Sequence, residues 1–142
     1  MHFNQLAAIP YAALPIATTI SLEGGWPLLY PRKEAKDYGT RAEIEGVFSA
    51  GERVVLIDDL ATTGASKLET LEKLAGAGLQ VTGVVVLIDR QSGAAQALAE
   101  AGIGFQAVFS LTQLLDYWET GRRVAADQIA AARDFITQTT SD

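Results

Sequence analysis

Val54-Val55-Leu56-Ile57-Asp58-Asp59-Leu60-Ala61-Thr62-Thr63-Gly64-Ala65-Ser66 decides the fold of this chain. The unbroken apolar run predicts a strand over 53–58 that is buried on both faces, as in a parallel sheet between helical layers. Two carboxylates end the run. A loop of small, hydroxyl and glycine residues follows, and Ser66-Lys67-Leu68-Glu69 reads as a capping box that opens a helix. Leu68, Leu71 and Leu74 give that helix an inward stripe, and Gly76 and Gly78 stop it. Loop amides, the hydroxyls of Thr62, Thr63 and Ser66, and the positive end of the helix dipole together suit one phosphate monoester. A phosphate alone leaves the two aspartates unexplained. They suit a polyhydroxylated sugar, whose hydroxyls donate to carboxylates, or a hydrated magnesium ion. The segment therefore predicts a sugar-phosphate site with a metal nearby. It lacks the Gly-Lys-Thr/Ser of a Walker A loop and the G-x-G-x-x-G of a dinucleotide fold, which argues against both.

Outward from this segment, strands and helices alternate. Further strands are predicted over 6–9, 26–30, 81–89 and 105–109. Helices are predicted over 12–21, with Pro15 in the first turn, and over 94–101, ended by Gly102. Ser110-Leu111-Thr112-Gln113 is a second capping box, leading a helix with Leu111, Leu114, Leu115 and Trp118. A last amphipathic helix is predicted over 124–136. Phe109, Leu115 and Trp118 are assigned to the core. The polar stretch 32–45 has no apolar period and reads as a loop. This order implies an α/β fold: an open, mostly parallel sheet with flanking helices and right-handed crossovers. Ligands in such sheets bind beyond the carboxyl ends of the strands, which directs attention to Pro10, Asp58-Asp59 and Asp89-Arg90.

With 142 residues the chain is expected to be a single domain, 1–142, and 49% hydrophobic content argues against disorder. It has no cysteine and its only histidine is His2. Disulfides, thiolate metal sites and cysteine nucleophiles are thereby excluded, and a Ser-His-Asp triad nearly so. A net charge of -6 and a pI near 4.7 lack the basic footprint of a nucleic-acid binder. Yet Arg32, Lys33, Lys36 and Arg41, four of the 11 basic side chains, fall within ten residues, which suggests a local anion site. The longest apolar run, 84–88, is too short to span a membrane, and the start lacks a basic segment followed by an apolar one. No membrane or nucleic-acid partner and a cytoplasmic location are expected.

The 54–66 segment resembles the motif that binds phosphoribosyl pyrophosphate (PRPP) in type I phosphoribosyltransferases: apolar residues, two acids, then Thr-Thr-Gly-x-Ser. Three further stretches are similar to orotate phosphoribosyltransferase in order and approximate spacing. They are Ile9-Pro10-Tyr11-Ala12-Ala13-Leu14-Pro15-Ile16-Ala17-Thr18, Arg32-Lys33-Glu34-Ala35-Lys36-Asp37-Tyr38-Gly39 and Leu87-Ile88-Asp89-Arg90-Gln91. The resemblance runs from about Leu6 to Gln113.

The resemblance implies a type I phosphoribosyltransferase-like fold. It also implies an activity: orotate plus PRPP gives orotidine monophosphate and pyrophosphate, with Mg2+, in de novo pyrimidine synthesis. It places Asp58 and Asp59 on the ribose hydroxyls and counts them, with Lys36, as catalytic. Ala61, Thr62, Thr63, Gly64, Ala65 and Ser66 then line the PRPP site around the 5′-phosphate. Tyr11 lies in the pyrophosphate-side loop. Arg32, Lys33 and Lys36 reach the pyrophosphate, where cations stabilise charge that grows as the bond breaks. Arg90, with Thr62, is assigned to orotate, because an arginine fork binds a carboxylate bidentately. Magnesium comes mainly with PRPP, near Asp58 and Asp59, with no residue assigned as its direct ligand. A homodimer is implied, with a mobile loop over about 32–45 acting in trans. Tyr38 stands where many relatives carry histidine, and a phenol supplies no imidazolium. Family members carry a further segment ahead of the part matching Leu6, so the chain is expected to be N-terminally shortened. The alternatives are a non-catalytic PRPP- or nucleotide-binding module, a truncated fragment of a bifunctional UMP synthase, and a transferase for another base.

Overall fold

Among the described residues, a six-stranded sheet carries the fold, in the order β3-β2-β1-β4-β5-β6. The structure, a computed structural model, describes residues 2–32 and 43–139. The strands are β1 (Gln5–Ala8), β2 (Leu28–Pro31), β3 (Ile44–Glu45), β4 (Arg53–Ala61), β5 (Gln80–Asp89) and β6 (Gly104–Ser110). The helices are α1 (Ala13–Gly24), α2 (Ala65–Gly76), α3 (Ala94–Glu100), α4 (Leu111–Thr120) and α5 (Ala126–Thr139). Every strand pair is parallel except β2 with β3. The open, mostly parallel α/β sheet read from the sequence is the one observed.

The two-sided burial of the apolar runs creates two cores. Val54, Leu56, Val84 and Val86 pack on one face with Leu74 of α2 and Leu98 of α3, and Leu68 and Leu71 add to that face. Val55, Ile57, Leu6 and Ala8 pack on the other with Ala13 and Ala17 of α1. Successive strand residues point to opposite faces, so an unbroken apolar run feeds both layers.

Four expectations need correction. First, β4 does not end at Asp58. Its ladder with β5 continues through Asp58 opposite Val86, Leu60 opposite Ile88 and Ala61 opposite Asp89. The acidic pair therefore sits on a strand, held by backbone pairing. Second, the capping box at Ser66 does not form. Gly64 is the N-cap of α2, at φ 89°, with no side-chain cap. Glu69 pairs with Lys73 at 2.7 Å instead of reaching back. Third, the stretch read as a loop over 32–45 contains β3, where Ile44 is 6% exposed and pairs opposite Pro31. Fourth, Phe109 is 46% exposed and Trp118 half-buried, whereas Leu115 is buried as expected. The exposure of Phe109 follows from its place on β6, the edge strand.

The second capping box does form: the Gln113 amide donates to Ser110 Oγ at 3.2 Å, and the Ser110 amide donates to Gln113 Oε1 at 2.8 Å. Among the described residues, no helix is long and apolar enough to cross a membrane.

Candidate functional site

The strand order reverses between β1 and β4. The chain leaves β1 through α1 to β2 on one side, and leaves β4 through α2 to β5 on the other. Such a switch point opens a crevice at the carboxyl ends of the strands. Here it is a cleft of about 630 Å³. The turn after β1 contributes Ile9, Pro10 and Tyr11, and the end of β2 contributes Pro31 and Arg32. Asp58, Asp59 and Leu60 enter from β4, and Thr62, Ser66 and Lys67 from the loop and first turn of α2.

Asp58 is 6% exposed. Its Oδ1 accepts the Asp59 backbone N–H at 2.9 Å, and its Oδ2 lies 2.5 Å from Lys67 Nζ. Burial pushes the Asp58 carboxyl above its ordinary range, and the hydrogen bond and charge of Lys67 oppose that rise. Lys67 is 3% exposed and also donates to the Leu60 carbonyl at 2.5 Å and to Ser66 Oγ at 3.3 Å. The sequence reading missed this lysine, which fell inside the supposed capping box. A signal was present: Lys67 lies four and seven residues before Leu71 and Leu74, on the inward stripe.

The phosphate-type loop is braced from behind. The Arg90 amide donates to the Ala61 carbonyl at 2.9 Å, and the Ala94 amide to the Thr62 carbonyl at 3.0 Å. A Cβ on Gly64 would lie 3.3 Å from Ala94 Cα, so both space and backbone angle select glycine. The first amides of a helix lack intrahelical acceptors, and no side chain caps α2. That end is open to an anion, flanked by the Thr62 and Ser66 side chains. Ala61 is buried, while Thr63, Gly64 and Ala65 shape the turn without lining the cleft.

Other expected residues fall into three groups. Tyr11 lines the cleft, its carbonyl accepts the Leu14 amide at 3.1 Å, and the Pro10–Tyr11 peptide is cis. Arg32 lines it too, with its guanidinium paired to Glu45 of β3. Arg90 does not line this cleft. It follows β5, and its guanidinium lies 5.2 Å from the centre of the Phe135 ring on α5. Next to it, Gln91 Oε1 accepts from the Thr112 amide at 3.0 Å and hydroxyl at 2.6 Å, tying this strand end to α4. Lys33, Lys36, Tyr38 and Arg41 lie outside the described residues.

Among the described residues, no group of three or more histidine, cysteine or acidic side chains is placed to hold a metal. Both oxygens of Asp58 already accept hydrogen bonds. This donor set fits a cation delivered with a phosphorylated ligand better than a resident ion. Chemically, the cleft offers paired carboxylates to hydroxyls and an uncapped helix end to a phosphate.

Comparison with known proteins agrees with that chemistry. The sequence matches the phosphoribosyl transferase domain family over residues 5–113. Orotate phosphoribosyltransferase of Methanoculleus marisnigri is 41% identical over 81% of this chain and 67% of its own length. The structure of Leishmania donovani UMP synthase superposes with a TM-score of 0.90 and 47% identity, over 97% of this chain and 30% of that one. Mycobacterium tuberculosis orotate phosphoribosyltransferase in complex with PRPP gives a TM-score of 0.71 at 30% identity, over 80% of this chain and 66% of that one. The chain spans 28% of the length of the bifunctional PyrF/PyrE enzyme of Nostoc sp. and 67% of that of the Methanoculleus marisnigri enzyme.

Proposed function

The chain belongs to the phosphoribosyl transferase domain family, of the orotate kind, and on that premise we propose that it transfers the phosphoribosyl group of PRPP to orotate. The products are orotidine monophosphate and pyrophosphate. The observation that carries this reading is the meeting, in one cleft, of the acidic pair on β4 with the uncapped start of α2.

In this reading the 5′-phosphate rests on the amides and hydroxyls of residues 62–66, and Asp58 and Asp59 accept the ribose hydroxyls. Together they clamp the sugar on both sides of the reacting carbon. The pyrophosphate then lies toward Tyr11 and Arg32, with Lys33 and Lys36 arriving from the neighbouring segment. Cations there stabilise the leaving group in a transition state whose sugar approaches an oxocarbenium ion. Closure of the basic segment over the site excludes water, which would otherwise trap that cation. Arg90 would hold the orotate carboxylate. Magnesium would come with PRPP, beside Asp58 and Asp59 and with no residue of the chain assigned as its direct ligand, and would screen pyrophosphate charge. We place the reaction in the cytoplasm and the chain in a homodimer whose basic segment acts on the partner's cleft.

Calorimetric titration of PRPP with magnesium, followed by assay of orotidine monophosphate formation, tests the proposal. Saturable binding with turnover supports it. Binding without turnover favours the non-catalytic module, and no binding refutes both.

A further inference from the structure

We infer that Lys67 is a positioning residue for the acidic pair: it is spent wholly inside the protein, fixing Asp58 toward the sugar hydroxyls and leaving the phosphate to backbone amides and hydroxyls alone. The inference rests on the sugar-phosphate reading of the cleft. Lys67 sits in the first turn of α2, directly after Ser66. A lysine there invites assignment to the bound phosphate. Its surroundings contradict that. An ammonium has three N–H donors. They are directed at Asp58 Oδ2 at 2.5 Å, the Leu60 carbonyl at 2.5 Å and Ser66 Oγ at 3.3 Å, and the residue is 3% exposed. No donor remains for a ligand.

Two consequences follow. The first is electrostatic. Two adjacent carboxylates at the mouth of a site for an anion would repel it, and Lys67 cancels one of those charges at contact distance. The second is geometric. With Oδ1 held by the Asp59 amide and Oδ2 by Lys67, the Asp58 carboxylate is fixed in rotation. Each oxygen keeps a second lone pair for a hydroxyl donor. Ser66 is aligned by the same contact, because an Oγ that accepts from Lys67 keeps its single O–H for the cleft. Among the described residues, the other titratable and charged groups around the cleft are Tyr11, Arg32, Asp59, Glu69 and Lys73. Lys67 is the chief group that opposes the effect of burial on Asp58, with the Asp59 backbone N–H adding a smaller effect in the same direction.

Two measurements on the full chain test this. Carboxyl-carbon NMR follows the ligand-free titration of Asp58, and calorimetry follows affinity for PRPP with magnesium at about pH 8 and about pH 6. Both are run on the parent and on Lys67→Met. Asp58 is expected to titrate at higher pH in the variant. The variant's affinity is expected to fall about tenfold or more, with the deficit growing toward the lower pH. Titration of PRPP itself is common to both proteins and cancels. A merely structural role for Lys67 would weaken binding by the same factor at both pH values. An unchanged Asp58 titration or a pH-independent deficit overturns the inference. A parent that binds no PRPP overturns the sugar-phosphate reading instead, and the two failures are told apart because that one appears before any substitution. If Lys67→Met does not fold, Lys67→Gln retains donors for the Leu60 carbonyl and Asp58, and tests the charge alone.

Discussion

Asp58→Asn and Lys67→Met remove the two halves of one buried ion pair, and the structure makes their consequences unequal. In Asp58→Asn the ammonium keeps the Leu60 carbonyl and Ser66 Oγ as acceptors, while the single amide oxygen serves either Lys67 or the Asp59 amide and not both. The substitution also relieves the desolvation that pushes the Asp58 carboxyl upward. These effects oppose each other, so ligand-free stability is expected to stay close to that of the parent. In Lys67→Met the Asp59 amide still donates to Oδ1 of the carboxylate, and Oδ2 loses its cation. Leaving one buried charge uncompensated costs about 3–5 kcal/mol, and the cleft beside Asp58 places this case near the lower value. For 142 residues the unfolding entropy is about 0.3 kcal/mol per degree, so the melting temperature should fall by about 10 °C. Ligand separates Asp58→Asn from the parent. PRPP with magnesium at a hundred times Kd stabilises the parent by about 2.7 kcal/mol, or about 9 °C. A variant that binds a hundredfold more weakly gains about 0.4 kcal/mol at the same concentration, or about 1 °C. Adding Asp59→Asn should abolish the shift. Differential scanning calorimetry with and without ligand reads each of these quantities. A ligand-free Asp58→Asn that melts well below the parent, or one that keeps the full PRPP shift, refutes the reasoning.

The same carboxyl gives a pH signature. Its folded-state pKa is raised above the ordinary 3.8, so its stabilising contribution is complete below that value and is lost as pH rises through the raised one. Urea denaturation across the acid range should show the parent losing stability relative to Asp58→Asn as pH rises. Gly64→Ala places a side chain at φ 89° and 3.3 Å from Ala94 Cα, so it should cost about 1–3 kcal/mol and weaken PRPP binding, read by melting and titration. Arg90→Ala should weaken orotate by about ten- to a hundredfold in the PRPP-analogue complex while sparing PRPP; equal orotate binding removes Arg90 as the carboxylate partner. Mixing Lys36→Ala chains with Asp59→Asn chains should restore part of the lost activity through one intact hybrid site. Mixed dimers without recovery rule out action in trans.

Much of this was legible in the sequence because the decisive signals are local. Continuous apolar runs at 54–57 and 84–88 announced strands buried on both faces, and they feed both cores. The second capping box was legible because Ser110 and Gln113 are all it requires. The first failed although its residues fit equally well. Gly64 and Ser66 both suit an N-cap, and the choice was made by the close approach of α3 to Gly64 and by the pairing of Glu69 with Lys73. The end of β4 was misjudged because carboxylates resemble loop residues, whereas the ladder with β5 carries them on. β3 was hidden because two residues have no period, and only buried Ile44 marks it. Lys67 was hidden because a lysine on an inward stripe becomes meaningful only when its partner, Asp58, arrives from another element.

The division of labour at the cleft follows from where β4 stops and α2 starts. The acids lie within a paired strand: the ladder with β1 ends at Ile57, just before them, and the ladder with β5 runs on past them to Ala61. The helix opens three residues beyond that strand, which leaves the loop short, braced and rich in free-facing amides. Rigid acceptors for hydroxyls and open donors for phosphate are thus set side by side at the one place where the sheet changes direction. Arg90 stands one strand over, its amide bonded to the Ala61 carbonyl and its guanidinium on the Phe135 ring. A cation–π contact at such a site is worth about 0.5–1 kcal/mol, whereas a hydrogen bond between charged groups is worth about 1.5–3 kcal/mol. A carboxylate presented within reach therefore wins the guanidinium from Phe135.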